Sequence, residues 1–430
     1  MRMRVFVKSY GCSANLADSE VLLGCILEAG YEQVNSILEA DIVIVNSCAV
    51  KGPTENRIIS KLKNLPKNKK IIVAGCLPVI NFERLLRETR FDGLIGPAAG
   101  DTIVNVIQRV IKGETVIDLG TALVSKPDLS LPSKKSNPVI SAIPVNYGCL
   151  GSCTYCCVVF ARGDLRSYSI PDIVNKVKKE LKTGTKEFWI TSQDVGCYGK
   201  DIETNIIELL QTLCNIKGTF YLRLGMINPN MVLPIIDDLI AVFQNSKMFK
   251  FLHLPVQSGD DFILKKMNRF YSIQDFKDII TKFRAAIPEI TIATDVICGF
   301  PGENLNAFSN TIQLLQDVKP DIVNVSKFFP RPKTEAKKMK DNLVDLREIK
   351  RRTTETANLA RLISIERNKN WKGWIGDVLI DEKGKISCSW IGRNFAYKPV
   401  VVKSLDNLLG KTFKIKIEAT FPTYLSAKIC

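Results

Sequence analysis

Six times between residues 139 and 330 a short apolar run is followed by a longer stretch of helical period, and this alternation constrains the fold of the 430-residue chain more than any other feature. The runs are VISAIPVNY, KEFWITSQD, TFYLRLGMINP, FKFLHLPVQSG, ITIATDVICGF and DIVNVSKFFP. Between them lie patterns such as PDIVNKVKKELKTG and DDFILKKMNRFYSIQDFKDIITKFRAAI, each read as a helix. Strands joined through helices pair in parallel, because only a crossover returns the chain in the same direction. The central region, 139–368, is therefore expected to be a partial (β/α)6 barrel with its active face at the carboxyl ends of the strands.

The flanking regions read differently. Residues 1–125 alternate MRVFVKSYGC, DIVIVNSC and KKIIVAGC with helical segments such as SEVLLGCILEAG, which implies an open parallel α/β sheet. Each of those three strands runs straight into a cysteine: Cys12, Cys48 and Cys76. Ligand residues gather beyond the carboxyl ends of parallel strands, so three thiols distant in sequence should converge on one edge. Cys25 sits with Val21, Leu22 and Ile26 on one helical face and reads as core. The stretch SKPDLSLPSKKSNP supplies a linker, 126–138. Residues 369–430 are short alternating strands between glycine turns, as in a small antiparallel β-barrel of the oligonucleotide-binding kind.

Four more cysteines fall in NYGCLGSCTYCC. A disulfide scaffold is a poor reading of them, since 430 residues bury a core without staples and the 13 cysteines are odd in number. No secretory signal and no membrane-length apolar run is present, so a soluble protein of a reducing compartment is expected. Structural zinc wants four closed ligands, and the only histidine, His253, is remote in sequence. Cys149, Cys153 and Cys156, spaced C-x₃-C-x₂-C, suit three irons of a 4Fe–4S cluster with the fourth iron open. Cys157 then points away as packing. The net charge of +16, with Lys and Arg concentrated over 327–372, points to a polyanionic partner.

With these residues in view, YGCLGSCTYC on a partial barrel resembles the radical S-adenosylmethionine enzymes. ARGDLRSY, TSQDVGCYG, LRLGMINP, HLPVQSG and TDVICGFPGE, with Cys12, Cys48, Cys76 and a C-terminal region similar to a TRAM domain, resemble the methylthiotransferases. LRLGMINP and TSQDVGCYGKDI are similar to the archaeal and eukaryotic branch, which acts on N6-threonylcarbamoyladenosine beside the tRNA anticodon. The resemblance implies a transferase that makes the 2-methylthio derivative with two 4Fe–4S clusters and S-adenosyl-L-methionine. Cys149, Cys153 and Cys156 would carry the cluster that donates an electron to S-adenosylmethionine. Cys12, Cys48 and Cys76 would carry a second one, whose open iron binds sulfur. It further implies that Tyr155 borders the adenine and that Ser192, Gln193 and Asp194 receive the methionine ammonium. Expected partners are tRNA, a one-electron reductant such as ferredoxin or flavodoxin, and a sulfur donor, in the cytoplasm and away from membranes.

Other residues are read from their chemistry. His253 and Gln257 end the fourth strand, where ribose or carboxylate would lie. Arg162, Arg166 and Arg331 are candidates for RNA phosphate or the threonylcarbamoyl carboxylate. Trp371, Trp374, Trp390, Phe395 and Tyr397 could stack on bases, though core burial is the expected fate for most of them. The run CGFPGE, Cys298 to Glu303, is either a cofactor approach or a structural turn. FFPRPKTEAKKM has Lys333 and Glu335 where relatives often read Gly and Pro, which predicts a differently shaped loop after the sixth strand. Alternatives to the main reading are a methylthiotransferase for isopentenyladenosine tRNA or for a ribosomal protein, and a non-catalytic RNA-binding protein with structural metal sites.

Overall fold

The structure is a computed structural model that describes residues 2–50 and 52–430. Near the N-terminus, the strand Ile42–Ser47 (IVIVNS) is buried at every position, as expected of a β-branched run covered on both faces. It pairs in parallel with Arg4–Ser9 and with Lys70–Gly75. The short strands Glu32–Gln33, Gly93–Ile95 and Val116–Asp118 extend the sheet to six, all in parallel pairs. Those three are too short for a period to show in sequence. Strand register places the thiols. Ser47 pairs with Gly75, so the next residues, Cys48 and Cys76, leave adjacent strands side by side.

In the centre, Ile140–Pro144, Glu187–Thr191 and Tyr221–Leu224 form one parallel sheet, and Phe251–His253, Thr291–Cys298 and Ile322–Lys327 another. A parallel bridge between Leu222 and Met248 joins them, so six strands follow in chain order as an open (β/α)6 arc around one apolar core. One expectation is corrected here. The sequence 260–287 reads as a single helix, but the chain forms Asp261–Lys266 and Ile273–Ala286. Asn268 takes a left-handed φ of 58°, and Ser272 with Asp275 makes a capping box that starts the second helix afresh.

The helix Leu346–Lys369 packs along the sixth barrel strand and leads into a closed five-stranded barrel, Ile375–Lys383, Ser389–Arg393, Pro399–Lys403, Leu425–Ile429 and Thr412–Thr420 in spatial order. Its pairs are antiparallel except Pro399–Lys403 with Leu425–Ile429, which run parallel, so the expectation of a purely antiparallel barrel needs that amendment. The barrel rests on the amino ends of the central strands. Tyr397 Oη donates to Glu187 Oε1 at 2.9 Å, Lys398 Nζ to Asp321 Oδ1 at 2.8 Å, and Lys250 N to Phe395 O at 2.7 Å.

Candidate active site

Two of the three N-terminal thiol loops are tied together by one asparagine. Asn15 Nδ2 donates to Tyr10 O at 2.8 Å and to Ser47 O at 3.0 Å, which binds the Cys12 loop to the Cys48 loop. Gly11 makes the approach feasible. Its φ is 126°, and a Cβ there would stand 3.0 Å from Cys48 Cβ. Gly75, at φ 93°, brings the Cys76 loop equally close to Asn46 and Ser47. Cys12 caps the helix Ser13–Glu28 and is exposed, whereas Cys48 and Cys76 are buried. Burial raises the Cys48 thiol and pushes Cys76 up to about 12. The charges of all three bear on one another.

The loop of Cys149 to Cys157 is clamped by the break between Asp261–Lys266 and Ile273–Ala286. The end of the first of these helices frees carbonyls, and Thr154 takes two of them, with N to Met267 O at 3.1 Å and Oγ1 to Lys266 O at 2.9 Å. Asn268 Nδ2 donates to Ser152 O at 2.9 Å, and Arg269 Nη1 reaches Cys153 Sγ at 3.4 Å. Gly151 N donates to Cys149 Sγ at 3.2 Å, and a Cβ on Gly151 would lie 3.2 Å from Cys149 Sγ and 3.9 Å from Cys153 Sγ, so both thiols face one small space. Burial raises the Cys156 thiol, and the nearby thiols of Cys153, Cys157 and Cys149 push it the same way. Cys157 is buried with Cys76 and Ala161, its Sγ 3.7 Å from Ala49 O, which matches its expected packing role.

Two participants escaped the sequence reading. Cys197 shares a hydrogen bond with Cys149 that holds the Cys149 thiol below its ordinary value. The ligand atoms of Cys149, Asp194 and Cys197 lie within 4.8 Å of one another. The place of Cys197 just past the second barrel strand was the available signal. Arg269 had none, because its reach depends on the helix break.

Beyond the second strand, Ser192 Oγ and Gln193 Oε1 are buried acceptors with no hydrogen-bond partner among the described residues. Asp194 is buried and engaged: Gly196 N donates to it at 3.0 Å and Asn228 Nδ2 at 2.5 Å. Burial raises its carboxyl and those donors pull it back. Of the three, Ser192 and Gln193 thus have free capacity for an ammonium group. His253 Nε2 faces Asp295 Oδ2 at 3.0 Å, an oriented imidazole at a strand end. Gln257 is buried at φ 71° and continues the pairing beside Val296. Tyr155 packs edge-on against Phe300 at 6.4 Å, which joins the cysteine loop to CGFPGE. That run is held as a tight turn. Gly299 has no room for a Cβ against Ile349, and Glu303 accepts from Gly299 N at 2.7 Å and Arg352 Nη1 at 2.8 Å.

The remaining candidate residues are engaged within the chain. Arg162 and Arg331, read as contacts for RNA phosphate or the threonylcarbamoyl carboxylate, are buried in ion pairs with Asp18 and Glu55. Arg166 donates to the carbonyls of Leu123, Asp164 and Arg162. Trp371 and Tyr397 are buried, in line with the expectation of core burial for most of the aromatics, and Trp371 packs with Trp374 and Phe395. Lys333 takes φ 64°, the region glycine favours, and Glu335 opens the helix Glu335–Lys338 where proline is well tolerated. At these two positions the loop therefore has backbone of the kind that Gly and Pro favour.

A family model described as "Radical SAM superfamily" matches residues 143–315, and one described as "Uncharacterized protein family UPF0004" matches residues 4–96. Among solved structures, the radical S-adenosylmethionine methyltransferase TsrM from Kitasatospora setae superposes with a TM-score of 0.55 at 12% identity, over 78% of this chain and 77% of that one. The cobalamin-dependent S-adenosylmethionine radical enzyme OxsB gives 0.51 at 12%, over 81% and 56%. The fold and the cysteine loop define a radical S-adenosylmethionine protein. A probable threonylcarbamoyladenosine tRNA methylthiotransferase of Pyrococcus abyssi is 41% identical over 89% of this chain and 90% of its own, and the human threonylcarbamoyladenosine tRNA methylthiotransferase is 35% identical over 96% and 72%. The chain belongs to the threonylcarbamoyladenosine tRNA methylthiotransferase family.

Proposed function

We propose that this protein is a tRNA methylthiotransferase that converts N6-threonylcarbamoyladenosine to its 2-methylthio derivative. The observation that carries the reading is that residues flanking the two three-thiol sets touch: Cys157, next to Cys156, faces Ala49 O, next to Cys48. Ser13, next to Cys12, bonds Thr191, next to the unpartnered acceptors Ser192 and Gln193. Carbon 2 of adenine bears an unactivated C–H bond that side-chain acids and bases do not functionalise. A 4Fe–4S cluster on Cys149, Cys153 and Cys156 with S-adenosylmethionine supplies the one-electron chemistry for that bond. The donor set fits, since three thiols leave one iron for an amino-carboxylate chelate.

The remaining work falls to the chain's own side chains. Ser192 Oγ and Gln193 Oε1 accept from the methionine ammonium. Arg269 holds Cys153 in place by a charge-assisted bond, and Tyr155 against Phe300 walls the adenine side. Cys12, Cys48 and Cys76 hold a second cluster that presents sulfur. In this reading residues 1–125 serve sulfur delivery, 139–368 the radical step after the linker 126–138, and 369–430, as a TRAM domain, hold tRNA. A one-electron reductant such as ferredoxin or flavodoxin and a separate sulfur donor complete the cycle in the cytoplasm. Among the described residues no helix is long and apolar enough to cross a membrane.

Mass spectrometry of tRNA nucleosides from cells with and without the gene tests this. Loss of 2-methylthio-N6-threonylcarbamoyladenosine with accumulation of its parent is expected. An unchanged profile rejects a tRNA substrate, and loss of the isopentenyl derivative instead reassigns it.

A further inference from the structure

We infer that Arg162 and Arg331 form the donor side of a pocket for anionic sulfur at Cys12, Cys48 and Cys76, as positioning residues rather than RNA contacts. The inference rests on the proposed role of these thiols as carriers of a second cluster. The two arginines come from different places, Arg162 from the end of the helix Val158–Arg162 and Arg331 from the loop after the sixth barrel strand. Both reach into the N-terminal sheet region and are only 2% and 3% exposed.

Each is fastened by one corner of its guanidinium. Arg162 Nη2 donates to Asp18 Oδ2 at 2.6 Å and Asn15 Oδ1 at 2.7 Å, and Arg331 Nη2 donates to Glu55. Asp18 lies in the helix that Cys12 caps, and Glu55 in the helix Gly52–Lys63 that comes after the Cys48 loop. The opposite corners, Arg162 Nη1, Arg331 Nε and Arg331 Nη1, are buried with no oxygen or nitrogen acceptor among the described residues, and the one acceptor Arg331 meets there is the Cys157 sulfur. A buried donor left unpaired costs about 1–3 kcal/mol, so three donors with one sulfur between them call for a ligand.

Arg162 stands against the loops of Cys12 and Cys48, because Asn15, which accepts from its Nη2, donates to Tyr10 O and Ser47 O. Arg331 meets Cys157, whose thiol faces Ala49 O beside Cys48. The two carboxylates are already matched by the two guanidiniums and further by Tyr147 on Asp18 and Arg84 on Glu55. Added negative charge therefore meets N–H donors without an uncompensated carboxylate. The chemical class that suits is a soft anion, such as a thiolate, a hydrosulfide or cluster sulfide, which accepts several N–H donors at once.

The test uses the full chain with Cys149, Cys153 and Cys156 replaced by alanine, reconstituted anaerobically with iron and sulfide, so that only the N-terminal set loads about four irons. Sodium hydrosulfide is the probe, read by electron paramagnetic resonance together with the cluster's midpoint potential. Arg162→Gln and Arg331→Gln should each keep the iron, weaken hydrosulfide binding by about tenfold or more, as loss of a charged hydrogen bond implies, and make the potential more negative. Where a Gln variant does not fold, Arg→Lys at the same position retains the charge, and weaker hydrosulfide binding at a near-parental potential is expected. Unchanged binding and potential in an iron-loaded variant overturn the inference alone. A parent chain that takes up no iron overturns both the second cluster and the inference built on it.

Discussion

Ser13 Oγ and Thr191 Oγ1 lie 2.6 Å apart, a hydrogen bond between residues 178 positions apart in sequence. It joins the helix that Cys12 caps to the strand end that carries Ser192 and Gln193. A direct side-chain contact thus joins the two regions, alongside the linker, whose Lys134 and Ser136 bond Glu20 of the same helix. A double-mutant cycle with Ser13→Ala and Thr191→Val should give a coupling of about 1 kcal/mol in denaturant unfolding. Additive single effects would show that the contact carries no energy.

Cys157 makes the second tie, with its thiol facing the carbonyl of Ala49 beside Cys48. Cys157→Ala should leave iron content unaltered and cost about 1 kcal/mol of stability, as a small deletion in a packed interface does. By contrast, Cys153→Ala should remove the iron bound by its own loop. Iron assay and unfolding on the same preparations separate packing from ligation; iron loss in the Cys157 variant would make that residue a ligand.

Lys333 is exposed yet held at φ 64°. An L-residue there costs roughly 1–2 kcal/mol relative to the right-handed region, part of which glycine returns through its freer unfolded chain. Lys333→Gly should raise stability by about 0.5–1 kcal/mol, whereas Lys333→Ala, which keeps a Cβ, should change it little. Equal effects would place the benefit in the lysine side chain.

The docking of the C-terminal barrel should depend on pH through Asp381. Burial, reinforced by Glu187, raises its carboxyl to about 8. Around the pair stand Arg393, Glu382, Trp189 and Tyr397. The folded state keeps the Asp381 proton at a pH where the unfolded chain has lost it, so stability is full below about pH 4 and is lost progressively up to about pH 8. Asp381→Asn should flatten that slope between pH 5 and 8. Hydrogen exchange in residues 375–429, compared with the parent, reads it; parallel pH profiles would refute it.

Lys266, Lys338 and Lys340 line a cavity of about 260 Å³ with Pro301, Met339 and Asp341, next to the segment that clamps the cysteine loop. Replacing the three by alanine should weaken tRNA binding and flatten its log–log salt dependence by roughly 2, as loss of three phosphate contacts implies. An unchanged slope would put the RNA elsewhere.

The alternation of apolar runs with helical patterns determined by itself the parallel strands, and those in turn located Cys12, Cys48, Cys76 and the Cys149 loop at strand carboxyl ends. Such signals are local: a strand shows in four to eight neighbouring residues, and a thiol after it inherits the position. Only the tertiary structure decided what depends on distant partners. The helix break at residues 267–272 arises where Asn268 and Arg269 serve a loop over a hundred residues away. Arg162 and Arg331 look like surface cations in sequence, and it is Asp18 and Glu55, 144 and 276 residues away, that make their burial tolerable. A charge's place inside or outside is set by whether a counter-charge meets it on folding, and no local pattern records that meeting.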